Sequence, residues 1–145
     1  MFLDEIERTK DIKMHRQSPI MRWRKYPERY RLEGNRCNLC GRIYFPKKEL
    51  CECSSREFSA FQLSGKGKIL TYTEIKSSPE EFSEMTPYCV GIIELAEGPK
   101  ITAQIADASV DELNIGDPVE PVFRKFFAVG DSGIIHYGIK FKKIE

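Results

Sequence analysis

The residues of this 145-residue chain whose types and spacing could do chemistry are its cysteines, four of the five falling within 17 positions. Cys37 and Cys40 are two residues apart and followed by Gly41; Cys51 and Cys53 are one residue apart. A two-residue gap closing on glycine makes a tight turn whose backbone N–H groups can point at thiolate sulfurs. The ten residues between Cys40 and Cys51 allow a short hairpin to carry the second pair back to the first. Four thiolates converging on one point suit a tetrahedral, closed, structural zinc site. The Cys-x-Cys pair forms a tighter chelate than the longer gap usual in zinc ribbons. The competing reading is reduced cysteines in a hairpin held by Leu39, Ile43, Phe45 and Leu50. A disulfide framework is disfavoured: the cysteine count is odd and no signal peptide is recognised, so a cytoplasmic protein is expected. Cys89 falls within a strand-like run and reads as a small core hydrophobe. His15 and His136 have no ligand-spaced partner and read as surface residues.

Charge is the second signal. The net charge is only +1, but residues 8–48 carry 13 Lys/Arg against three acids, while residues 49–145 carry 10 bases against 16 acids. A basic first third followed by an acidic remainder suggests an anionic partner for the former: a phosphate-bearing cofactor, nucleic acid or an acidic protein face. A solvated, incidentally basic helix surface is the competing reading. Trp23, Tyr26 and Tyr30 interleave with Arg22, Arg24, Arg29 and Arg31; such rings either stack on a planar ligand or pack against a neighbouring domain. No apolar run approaches the roughly 20 residues a membrane helix needs.

The elements that must position these residues follow from periodicity. Residues 2–16 read as a helix, and Ser18-Pro19 restarts one that runs to about Lys25, where Tyr26-Pro27 ends or kinks it. The cysteine region, 34–54, takes short strands at 42–45 and 48–50 with a turn at Pro46 to Lys48. With so little core it leans on the metal for stability. Residues 57–63 alternate as a strand. Strands then follow at 68–75, 88–95, 100–106, 118–128 and 134–143, with a capped helical turn from Ser109 to Glu112 between the third and fourth of these five. In the last, Ile135, Tyr137, Ile139 and Phe141 share one face and His136, Gly138, Lys140 and Lys142 the other. The order is that of an OB-fold, a small Greek-key barrel, although a five-stranded sandwich gives similar signals. The expected organisation is mainly β with N-terminal α: a helical segment (1–33), a zinc ribbon (34–56) and an OB-fold (57–145).

Arg29-Tyr30-Arg31-Leu32-x-Gly34-x-Arg36-Cys37-x-x-Cys40-Gly41, then Tyr44-Phe45-Pro46 before a second cysteine pair, resembles the signature of the family labelled domain of unknown function thirty-five. Leu63-Ser64-Gly65-Lys66-Gly67, Gly98-Pro99 and Gly116-Asp117-Pro118-Val119 continue the resemblance, which covers about residues 18–143. The resemblance implies a rubredoxin-like zinc ribbon followed by an OB-fold. It further implies a non-catalytic accessory subunit of thiolase-like, acyl-CoA-processing enzymes. Archaeal relatives are similar to a subunit that bridges acetoacetyl-CoA thiolase and hydroxymethylglutaryl-CoA synthase and helps hold coenzyme A. The family's second pair is usually Cys-x2-Cys followed by Gly, whereas here Cys51-x-Cys53 is followed by Ser54.

On that reading the metal ligands are Cys37, Cys40, Cys51 and Cys53. The phosphates of coenzyme A or an acyl-CoA would meet part of the set Arg22, Arg24, Arg29, Arg36, Arg42, Lys47 and Lys48, with Trp23, Tyr30 or Phe45 stacking on adenine. The alternative is a zinc-ribbon and OB module that binds single-stranded nucleic acid. The acidic barrel half argues against it, although Phe126, Phe127 and Tyr137 could line a groove. An enzyme in its own right lacks residues to assign: no Ser-His-Asp arrangement, no glycine-rich phosphate loop and no activated cysteine can be placed.

Overall fold

A computed structural model describes residues 19–128 and 134–144. The expected helix at 2–16, the Ser18 cap, His15 and the turn at 130–133 lie outside them. The first described element is α1, Pro19–Arg31. It continues through Pro27, where an earlier end was expected. Proline removes one backbone hydrogen bond, and contacts spanning it compensate. Tyr30 packs on Tyr26 at 4.9 Å between ring centroids, Arg31 lies 5.2 Å over the Tyr26 ring, and Lys25 pairs with Glu28 at 3.2 Å. Arg29 and Arg31 in the last turn also suit the negative end of the helix dipole. Leu32, at φ 51°, ends the helix in a left-handed conformation.

The chain then enters a three-stranded antiparallel sheet in the order β2-β1-β3, with β1 at Glu33–Cys37, β2 at Ile43–Tyr44 and β3 at Phe58–Gln62. The strand expected at 48–50 is absent: Asn35, buried in β1, holds that segment through its side chain instead, bonding the Lys48 carbonyl at 2.6 Å and the Lys48 N–H at 3.2 Å. β1 itself, polar in sequence, was not expected as a strand. Its neighbour β3 pairs with it from Glu33↔Gln62 to Cys37↔Phe58. A division of the chain at residue 56 leaves β3 on the barrel's side, although its hydrogen bonds go to the ribbon.

The remaining strands, β4 (Gly67–Ile75), β5 (Tyr88–Leu95), β6 (Lys100–Ala106), β7 (Pro118–Ala128) and β8 (Ile135–Lys143), close into a barrel in the order β4-β5-β6-β8-β7. All pair antiparallel except β6 with β8, joined in parallel through Ile105↔Phe141; β4 and β7 close the ring at Gly67↔Val119. This is the OB-fold order the strand spacing implied. A short 3-10 turn, Val110–Glu112, sits between β6 and β7, its Glu112 carboxylate accepting the Ser109 N–H at 2.9 Å. Ile69, Ile93, Leu95, Leu113, Val119 and Phe141 fill the barrel almost without solvent contact, and each such side chain contributes about 1.5–3 kcal/mol. Cys89 is buried among them, as expected, and burial raises its thiol pKa.

One face of β8 departs from the expected alternation. Gly138 and Lys140 are buried, β7 shifts register between Lys125 and Phe127, and the intervening Phe126 ring lies against Gly138. The ring occupies the space a Cβ on Gly138 would need and lies 5.1 Å from the Lys140 ammonium, whose pKa is lowered by burial.

A candidate metal centre and the cavity beside it

The two cysteine turns are built from backbone bonds. Gly41, at φ 76°, donates its N–H to the Cys37 carbonyl at 2.9 Å, and Cys37 donates to Arg42 O at 2.9 Å. In the second turn Ser54 donates to Cys51 O and Cys51 to Ser55 O, both at 2.9 Å, with Ser54 held at φ 66°. That left-handed position is where a glycine is at ease, so the serine is tolerated rather than favoured. The one-residue gap does not exclude Cys53. All four Sγ atoms lie within 4.8 Å of one another, Cys37 to Cys53 at 3.6 Å and Cys40 to Cys51 at 3.4 Å. Four sulfurs about 2.3 Å from a central zinc stand about 3.8 Å apart, so the cluster fits the ion in donor type, number and spacing. Cys37 and Cys51 are buried, Cys40 and Cys53 exposed.

The electrostatics fit as well. The Cys40 N–H lowers the Cys37 pKa. Cys51 falls from 9.0 to about 6, chiefly through the Tyr44 hydroxyl and the Cys53 N–H. Cys53 goes the other way: the Ser55 N–H favours its thiolate, but the Cys51 sulfur, burial and the remaining thiols push it up to about 12. Four sulfurs this close cannot all ionise unaided. A divalent cation removes that conflict.

Tyr44 is the functional side chain that sequence reasoning missed. It is buried, its hydroxyl lies 3.3 Å from Cys51 Sγ and accepts the Glu52 N–H at 3.4 Å, and the Lys48 ammonium lies 4.6 Å over its ring. Its position directly before Phe45-Pro46 was visible, but a tyrosine carries no ligand spacing to mark it.

The ten basic and aromatic candidates separate into four places. Arg29 and Phe45 line a cavity of about 430 Å³ at the junction of α1, the ribbon and the barrel. Its walls are largely apolar, with Ile101 and Ala103 from β6 and Phe126, Phe127 and Tyr137 from β7 and β8, while Glu28, Arg29 and His136 supply polar groups. The three aromatics named as possible groove residues do line it. Arg22, Trp23 and Tyr30 lie instead along a shallower groove of about 550 Å³, which shares Tyr137 with the first. Arg22 Nη2 is 2.9 Å from His136 Nδ1, and the His136 ring stacks on Phe127 at 4.1 Å. His136 is therefore half-buried at the helix–barrel contact, not a free surface residue. The ribbon holds the rest: Arg42 pairs with Glu52, Lys47 with Glu33, Lys48 covers Tyr44, and the Arg36 guanidinium lies beside Gly41. Arg24 is exposed on α1.

Comparison with known proteins gives this arrangement a family. Residues 24–59 match the rubredoxin-like zinc ribbon domain of ChsH2 and residues 61–124 its C-terminal OB-fold domain. A DUF35 domain-containing scaffold protein of Methanocaldococcus jannaschii is 47% identical over 128 residues, 87% of this chain and 91% of that protein. The benzoylsuccinyl-CoA thiolase subunit BbsA of Geobacter metallireducens is 34% identical over 78% of this chain and 75% of its own length. Among solved structures, a chain of an Ltp2-ChsH2(DUF35) aldolase superposes with a TM-score of 0.63 at 24% identity, covering 78% of this chain and 84% of that one, which supports the fold. With a zinc-ribbon cysteine cluster set before a five-stranded OB barrel, and with relatives this close over most of its length, the chain belongs to the DUF35 family.

Proposed function

We propose that this protein is a non-catalytic accessory subunit that partners a thiolase-like enzyme and helps hold an acyl-CoA. In its fuller form the reading has the chain join two enzymes that hand an acyl-CoA on, an acetoacetyl-CoA thiolase and a hydroxymethylglutaryl-CoA synthase. Kinship to scaffold proteins and to a thiolase subunit supports the partner. The observation that carries the ligand is the cavity at the α1–ribbon–barrel junction: its walls are largely apolar, with polar groups from Glu28, Arg29 and His136, so it can cover the methylenes of a pantetheine arm while Arg29 is placed to meet a phosphate and Phe45 lies in the same lining. The other basic candidates stand on the ribbon or on the outer side of α1.

The same reading assigns Cys37, Cys40, Cys51 and Cys53 to one structural zinc. Bound there, the ion supplies a four-way crosslink and no open coordination position. The Tyr44 hydroxyl and the Cys40 and Cys53 amides steady the thiolates around it. Because Tyr44 leads directly into Phe45 and Pro46, the crosslink also fixes one wall of the cavity.

Calorimetric titration of coenzyme A and its dephospho analogue into the subunit, alone and with its co-purified enzyme, tests the ligand. Tighter binding of coenzyme A by the assembly, lost in Arg29→Ala, supports the reading. Equal binding by enzyme alone and by assembly contradicts it. A titration with single-stranded oligonucleotide at two salt concentrations tests the alternative, which predicts a steep salt dependence.

A further inference from the structure

We propose that the aromatic face made by the outer side of α1 and strands β7 and β8 is where the partner enzyme docks, through an apolar projection fringed by carboxylates. This rests on the accessory-subunit reading above and adds to it the surface and the chemistry of the partner. No residue of α1 is buried: the helix meets the barrel through Arg22 at His136 and Tyr30 at Phe123 and leaves its outer side open. Thirteen residues with a proline inside are marginal as an isolated helix. Its apolar side chains face outward: Trp23 is 80% exposed and Ile20 64%.

The rings form a continuous row that runs from helix to barrel. Trp23 stacks on Tyr26 at 6.4 Å, Tyr26 meets Tyr30 tilted at 4.9 Å, Tyr30 meets Phe123 tilted at 5.5 Å, and Phe123 stacks on Tyr137 at 5.7 Å and 10°. Each ring is held by the next, so little side-chain freedom remains to be lost on association. Large aromatics with arginine are what the energetic centres of protein interfaces are made of. Leu39, Leu50 and Ile115, also exposed, stand on loops outside this row.

Charge selects the partner. Pro19–Arg31 carries five bases and one acid, so the complementary surface carries carboxylates around an apolar centre. A single-stranded nucleic acid fits less well. Residues 49–145 carry 16 acids against 10 bases, so a strand running on from α1 across the barrel would meet like charge.

The test uses the thiolase-like enzyme isolated with this chain from its native source, purified and titrated with the full-length chain. Trp23→Ala combined with Ile20→Ser is expected to weaken binding by about thirtyfold or more, with helicity and thermal midpoint unchanged because both side chains are exposed. Arg24→Glu is expected to slow association, and to slow it less at high salt. Leu39→Ala and Ile115→Ser are expected to change affinity by less than about twofold. If no such enzyme binds the wild-type chain, the accessory-subunit reading falls and this surface with it. If the wild type binds and the Trp23/Ile20 variant binds equally well, or if Leu39→Ala abolishes binding, this face is the wrong one and the reading stands. Salt-sensitive binding of oligothymidine that is lost in the Trp23/Ile20 variant overturns the protein-docking assignment in favour of nucleic acid.

Discussion

The ribbon and the barrel are neighbours held together by different physics. The barrel buries a cluster of ten side chains, with Ile69, Ile93 and Val119 at no measurable exposure. The ribbon's own cluster is Cys37, Tyr44 and Cys51 with Phe58 against them. Two of those three are metal-ligand candidates, so removing the metal removes the core. Yet the ribbon is not a free module. Leu32 and Leu63, at its two ends, belong to the barrel's cluster, and Ile43, Phe45 and Phe61 pack against it. One side of the ribbon sheet is thus organised by thiols and the other by the barrel. The cavity lies along that second side, where a metal-dependent wall meets a metal-independent one.

The sharpest way to separate the two regions is to remove a ligand. Cys37→Ser, or treatment with a strong chelator, should unfold the thiol side of the ribbon, since structural zinc is worth about 10–16 kcal/mol of apparent binding energy in finger peptides. Hydrogen exchange should then rise sharply at 35–44 and 51–58 while β5 and β6 stay protected; equal loss in both regions would show that the barrel, too, depends on the metal. Phe141→Ala attacks the other region and should cost about 3–5 kcal/mol, read as a lower denaturation midpoint with zinc retained at the midpoint's foot. Tyr44→Phe removes the hydroxyl at Cys51 and should cost about 1–2 kcal/mol, mostly as weaker zinc retention in competition with a chromogenic chelator.

The thiols also set a pH dependence for metal retention, because a thiol must lose its proton to bind the ion. Cys51 is depressed to about 6, chiefly by the Tyr44 hydroxyl, so it offers a thiolate down to about that pH. Zinc should therefore be held as pH falls towards 6 and released below it, and Tyr44→Phe should move that release to higher pH, read with a chromogenic chelator. The smallest effect is at Ser54, whose left-handed backbone costs about 1 kcal/mol; Ser54→Gly should gain about 0.5 kcal/mol in the midpoint of zinc-dependent unfolding.

The same division explains what the sequence made legible. The barrel strands carry apolar residues at regular spacing, and their order and the short turn between β6 and β7 could be read from the residues. The cysteine cluster was legible because ligand spacing is a local property. β1 was not, because Glu33-Gly34-Asn35-Arg36 is polar. Gly34 is there because the Tyr44 carbonyl occupies the space of a Cβ, and Asn35 because its side chain replaces a strand's hydrogen bonds. α1 continues through Pro27 because Tyr30 and Arg31 pack back on Tyr26, and Tyr30 in turn meets Phe123 of the barrel, a contact that local propensity cannot see. The basic residues were legible as a run, but only the fold distributes them among cavity, groove and ribbon.

The central claim, that this chain works through a partner enzyme and not by its own chemistry, is tested most directly by a thioester turnover assay on three samples: the pure chain, its isolated thiolase-like enzyme, and the two recombined. The account predicts no turnover by the chain alone and a lower KM for the acyl-CoA in the recombined sample than in the enzyme alone. Turnover by the pure chain that a point substitution within it abolishes would contradict the account.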